Sequence, residues 1–151
     1  MRIRVSTTID APPDVVWDAI EDIERHVDWM DDAVAIRLTS KRRSGIGTTF
    51  DCDTRVGPIR LTDRFEITEW KPGKVMGIHH LGVVTGTGRF LLKRARGGRT
   101  RFTWDETLSF PWWLGGRLAG LPGRPVLRRV FGRDVRNLKA LVETGRGPLL
   151  L

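Results

Sequence analysis

Three polar positions interrupt apolar stripes and could carry chemistry. Asp63 stands in phase with Leu61 and Phe65, and Glu106 in phase with Trp104 and Leu108. That two-residue spacing puts side chains on one face of a strand. His79 and His80 are neighbours, so only one of them can share the inward face. Val75, His79 and Leu81 fall on one side and Met76, Ile78 and His80 on the other, and the sequence leaves both registers open. A carboxylate turned into apolar surroundings is costly unless it is paired, hydrated or protonated. Asp63 and Glu106 therefore either meet an arginine or water near a sheet edge, or act on a ligand. In the second case they are polar anchors, or general acid/base groups working with a histidine.

No other catalytic pattern is spelled out. The single cysteine, Cys52, has no evident base beside it. Three histidines without a helical pair make a poor metal site, so neither a metal nor a cofactor is expected. Gly82, Gly86 and Gly88 form no phosphate loop; along a strand pair they mark a bulge or a close approach to ligand.

The elements that must position these residues read as one strand, two short helices, six strands and a long helix. Ile3, Val5 and Thr7 alternate in a first strand that Asp10 and the following prolines stop. A helix follows, with Asp14 near its positive end and Val15, Val16, Ala19, Ile20 and Ile23 facing in. A second short helix is expected over Glu24 to Met30. Strands are expected over Val34–Ser40, Gly47–Arg55, Ile59–Trp70, Val75–Leu81, Thr85–Arg94 and Thr100–Phe110. From Pro125 to Gly145, Leu127, Val130, Phe131, Val135, Leu138, Leu141 and Val142 share one helical arc, and Arg128, Arg129, Arg133, Arg136 and Lys139 share the opposite one. Short links favour antiparallel neighbours. The expected fold class is therefore α+β, with a single antiparallel sheet of about seven strands curled around the apolar stripe of the last helix.

At 151 residues, one domain spanning 1–151 is expected, with 146–151 a frayed tail. No apolar run is long enough to span a bilayer, the N-terminus lacks a signal-like apolar stretch, and a lone cysteine suits a reducing compartment. These features point to the cytoplasm. The net charge of +8 is uneven: residues 1–110 carry 18 basic and 16 acidic side chains, and residues 111–151 carry 8 and 2. The basic helix face is either solvated or met by an anionic partner, for which a membrane surface contacted by Arg128, Arg129, Arg133 and Arg136 is one option. Nucleic acid is disfavoured, since no recognition motif occurs and tyrosine is absent.

Four segments carry a family resemblance. They are IDAPPDVVWDAIED at 9–22, HVDWM at 26–30, ITEWKPGKV at 67–75 and GRTRFTW at 98–104. The chain resembles the START/Bet v 1-like (SRPBCC) superfamily, in its bacterial polyketide cyclase/dehydrase and lipid-transport-like branch. The resemblance implies a helix-grip fold, with an apolar cavity between the sheet and the C-terminal helix. It then implies that Phe50, Leu61, Phe65, Phe90, Phe102, Trp104 and Leu108 face a ligand from the sheet. Leu127, Val130, Phe131 and Val135 would face it from the helix. Trp112 and Trp113 would sit near the mouth, where they cover the core, form a lid, or anchor at an interface beside Arg117 and Arg124. The implied function is binding of a small hydrophobic molecule of lipid, polyketide or isoprenoid type. The alternatives are a polyketide cyclase/dehydratase-like enzyme with Asp63, Glu106 and His79 or His80 as acid/base groups, and a protein docking through its basic helix. Pro122 and Pro125 are expected to break or kink the approach to that helix.

Overall fold

The computed structural model describes residues 1–116 and 120–145, with side chains described outside 120–122. Strand β1 (Arg2–Ile9) leads into helix α1 (Pro13–Ile20) and a 3-10 turn over Ile23–Asp28. Six strands follow: β2 (Ala33–Leu38), β3 (Thr49–Val56), β4 (Ile59–Lys71), β5 (Val75–Leu81), β6 (Thr85–Ala95) and β7 (Arg99–Ser109). Helix α2 (Gly120–Thr144) closes the fold. The sheet order is β1-β7-β6-β5-β4-β3-β2, every pair antiparallel. The first strand thus pairs with the last, and every other pair joins strands consecutive in the chain. This is the helix-grip architecture, with α2 held against the concave face.

Local sequence explains most boundaries. Pro12 and Pro13 open α1, where a missing N–H costs nothing, and Asp14 sits in its positively polarised first turn. The buried face of α1 is Val16, Trp17 and Ile20, and Val15 faces solvent. The inner arc is therefore rotated relative to the expected one: Trp17 turns inward to meet Trp70 edge-on at 5.2 Å. In β2 a register shift between Ala33 and Ala35 buries Ala33 and Ile36 and leaves Val34 outside, so simple alternation from Val34 fails there. A second shift, between Ile67 and Glu69, bends the long strand β4. The bends let one sheet curl around a helix.

Helix α2 begins at Gly120, five residues before the expected start, and runs through both prolines. Pro122 lies in the first turn, whose N–H groups have no intrahelical acceptor, and Pro125 forfeits only one bond. Neither breaks the helix. Phe131, Val135 and Leu138 are its buried stripe, with Leu127, Val130, Leu141 and Val142 partly buried beside them. Lys139 Nζ donates to Thr8 O at 2.6 Å, and Glu143 accepts from Asp10 N–H at 2.8 Å, which fixes the C-terminal half of α2 along β1. The expected tail, 146–151, and Arg117 lie outside the described residues. No helix among the described residues is long and apolar enough to cross a membrane.

Candidate functional site

Trp29 anchors the packed part of the interior, and His26, Phe90 and Trp104, which pack against it, also face the hollow space. It follows the 3-10 turn, is fully buried, and lies among Phe90, Phe102 and Trp104 at ring separations of 5.6, 6.5 and 6.1 Å. His26 packs on the same cluster, 5.4 Å from Trp29 and 5.8 Å from Phe90. Its Nε2 contacts Ile20 O at 2.6 Å, which places the proton on Nε2, and burial pushes its pKa down to about 4. This aromatic plug fills one end of the sheet–helix interval. Beyond it lies a cavity of about 560 Å³, a size ordinary for small-molecule sites.

The sequence-predicted residues divide accordingly. Phe50, Leu61, Phe65, Phe90, Trp104, Leu108, Leu127 and Phe131 lie on the cavity wall. Phe102 packs against Trp29 and Phe90 in solid core, and Val130 and Val135 pack along α2 away from the space. Trp112 and Trp113 are also not on the wall; they are 87% and 57% exposed and cover no core. Met30, Asp32, Ile36, Cys52, Met76 and Ile78 complete much of the lining. Exposed Ile59 and Val126 mark its open end, between the β3–β4 hairpin and the start of α2.

The histidine register is resolved by pairing. His80 stands opposite Phe65, inside, and its neighbour His79 is exposed on the outer face. His79 is therefore removed from the candidate groups. His80 Nε2 lies 2.8 Å from Glu106 Oε2, and Trp104 Nε1–H donates to Glu106 Oε1 at 2.9 Å. An indole N–H can only donate, so Oε1 accepts from Trp104; with Glu106 as a carboxylate, an acceptor-only group, Oε2 accepts as well and the proton in the histidine contact lies on Nε2. Nδ1 is left as the uncommitted nitrogen of the ring. Glu106 is 3% exposed, and no arginine or water channel is needed to account for it.

This polar pair sits in a continuous row of rings. Phe50 stacks on Phe65 at 5.1 Å, Phe65 meets His80 at 4.6 Å, and beyond Glu106 the Trp104 ring stacks on Phe131 of α2 at 4.2 Å. The row runs along the cavity wall from β3 to the helix. Gly88 makes room for it: a Cβ there would lie 2.5 Å from Glu106 Oε1. Gly86 has a positive φ of 137°, and a Cβ would collide with Thr107 O. What approaches these glycines closely is protein, the Glu106 side chain and the Thr107 backbone, where the sequence reading expected a ligand.

Asp63 has a different role. Its Oδ1 accepts from Val83 N–H at 2.7 Å, and its other oxygen lies 3.4 Å from Val84 N. A Cβ at Gly82 would strike the same carboxylate. Asp63 thus borders the cavity while its oxygens hold the β5–β6 turn. On the neighbouring strand, Cys52 pairs with Asp63, and burial pushes its thiol up to about 11, so it is inert as a nucleophile at neutral pH.

A second carboxyl pair was not legible as a site. Asp134 of α2 is fully buried and accepts Asp31 N–H on Oδ1 at 2.9 Å. Its Oδ2 and Asp32 Oδ1 are both buried without a partner among the described residues. Burial first, and the adjacent Asp32 carboxylate second, push the Asp134 pKa up to about 9. One proton held between the two acids satisfies both oxygens. Asp134 sits on the apolar arc between Phe131 and Val135, and that interruption is the signal the sequence offered. Among the described residues no cluster of three or more histidine, cysteine or acidic side chains could hold a metal.

Residues 1–143 match the family described as polyketide cyclase/dehydrase and lipid transport. No curated protein matches the chain by sequence. Solved structures that share the fold include the following three. The protein TTHA0849 from Thermus thermophilus aligns over 97% of this chain and 100% of its own, with a TM-score of 0.80 at 16% identity. The Zhui aromatase/cyclase from Streptomyces sp. R1128 aligns over 98% and 99%, with a TM-score of 0.66 at 15% identity. The Aha1 dimer from Colwellia psychrerythraea aligns over 97% and 99%, with a TM-score of 0.68 at 15% identity. At these identities the likeness is one of fold.

Proposed function

The chain belongs to the polyketide cyclase/dehydrase and lipid transport family, and from that premise we propose that it holds a small, largely apolar molecule in the hollow beneath α2, with a polar group of that molecule on His80. The observation that carries this reading is the apolar cavity of about 560 Å³ lined by the buried His80–Glu106 contact. Apolar walls supply most of the affinity through area removed from water, and one oriented imidazole supplies the direction of approach. A flat or fused-ring ligand suits the Phe50–Phe65 and Trp104–Phe131 stacks that flank His80.

Native mass spectrometry of freshly purified protein, followed by titration with a fluorescent fatty acid and a panel of hydroxylated fused-ring aromatics, tests this. A co-purifying apolar molecule or saturable one-to-one binding supports it. Neither being found rejects it.

A second reading, turnover by proton transfer, draws on the same pair. Glu106 fixes the ring of His80 through Nε2 and frees Nδ1, the arrangement in which one group orients a base for another. With a polyketide-like substrate, His80→Asn should abolish product formation and Asp63→Asn should leave it unchanged. Persistence of product with His80→Asn rejects catalysis by this pair.

A further inference from the structure

The cavity opens at one end of the sheet, and that end is unlike the rest of the surface. Antiparallel order places the β3–β4 hairpin at 56–59, the β5–β6 turn at 81–85, the end of β7 and the start of α2 together. Exposed large apolar side chains gather there: Ile59, Leu81, Val83, Trp112, Trp113 and Val126. Leu114, the third residue of the Trp112–Leu114 turn, lines the cavity, so the two exposed indoles stand at its lip. Segments 55–62, 81–88, 109–116 and 123–133 contain no aspartate or glutamate. They do contain Arg55, Arg60, Arg124, Arg128, Arg129 and Arg133, all exposed and none in an ion pair among the described residues.

We propose that this lip docks on an anionic lipid bilayer, with Trp112 and Trp113 in the headgroup region and the arginines over lipid phosphates. Indole rings favour that boundary because their hydrocarbon faces it from one side and their N–H stays wet. Exposed tryptophan is otherwise unfavourable in solution, and two side by side beside unpaired cations mark a surface that is covered part of the time. A bilayer fits better than a protein or nucleic-acid partner because the apolar lip is continuous with the cavity. An apolar ligand could then pass from membrane to hollow without crossing water. The arginines nearest the lip are Arg124, Arg128 and Arg129, since Arg133 and Arg136 lie progressively further along α2. This surface goes beyond the ligand-binding reading and is tested without any ligand.

The test is co-sedimentation of the full chain with vesicles of phosphatidylcholine alone and of phosphatidylcholine with phosphatidylglycerol, at low and high salt. The expected result is binding to the anionic vesicles, weakened at least tenfold by high salt. Trp112→Ser/Trp113→Ser should weaken it at least tenfold, and Arg128→Gln by about fivefold. Both changes are at exposed positions, and an unchanged thermal melt shows that the fold is intact. Absence of binding to anionic vesicles at low salt overturns the proposal. So does binding that ignores the loss of both tryptophans, or equal retention on a soluble polyanion such as heparin with none on vesicles.

Discussion

Replacing Asp134 by asparagine should change how stability depends on pH, and the shape of that change follows from two buried groups. His26 titrates near 6.5 in an unfolded chain and at about 4 here. The unfolded state therefore takes up a proton first, and stability falls as pH drops from 6.5 to 4. Asp134 behaves in the opposite sense. Its carboxyl loses a proton near 4 when unfolded and holds it up to about 9 in the fold, so stability falls as pH rises through that window. Each titration has a slope of about 1.4 kcal/mol per pH unit. Between pH 4 and 6.5 the two slopes offset; above 6.5 only Asp134 remains. From pH 6.5 to 8.5 the native protein should lose about 3 kcal/mol, or roughly 6–12 °C in Tm at this chain length. In Asp134→Asn the amide oxygen still accepts Asp31 N–H, and its N–H₂ can donate to Asp32. The variant should hold its Tm nearly level from pH 6.5 to 8.5 and lose stability below 6.5, where His26 now acts alone. Thermal unfolding across pH 4.5–8.5 is the assay. Parallel curves for the native protein and the variant would refute the shared-proton assignment.

Three further outcomes are expected. In Glu106→Gln the side-chain oxygen still takes the Trp104 N–H, so the amide must donate to His80 Nε2, and the imidazole proton must move to Nδ1; nitrogen-15 NMR of His80 would read this, and a retained Nε2–H would contradict it. Gly88→Ala forces the Glu106 carboxylate aside and should cost about 1–3 kcal/mol with loss of the His80 contact; denaturant unfolding with native-like stability would show that the position has slack. Asp63→Asn should cost about 1–3 kcal/mol by weakening the β5–β6 turn, with cavity affinity unchanged; a large affinity loss at constant stability would return Asp63 to the ligand.

The sequence made the architecture legible because each element announced itself by periodicity. The seven strands and the apolar stripe of α2 needed only alternation and a helical arc. Deviations arose where one local event shifts everything after it. A bulge at Ala33/Ala35 turned Val34 outward, and pairing across β4 and β5, invisible in one strand alone, selected His80 over His79. The carboxylates Asp63 and Glu106 were findable because they break an alternating pattern. Their partners were not, since both are met by backbone amides, a histidine or an indole that alternation within one strand does not point to. Phe102 and Val135 look like cavity residues by pattern, yet Phe102 packs against Trp29 and Phe90 in solid core. Nothing in the strands says that a residue after the second short helix will plug one end.

The most direct measurement of whether the hollow receives a guest is calorimetric titration with 1-naphthol, a fused-ring alcohol, repeated on Leu61→Trp. That substitution places an indole in the middle of the wall beside Asp63 and Phe65. One-to-one binding with a negative heat-capacity change, weakened at least tenfold in the variant, is the predicted result. Equal affinity in a folded Leu61→Trp protein, or no saturable heat from either, would contradict ligand capture beneath α2.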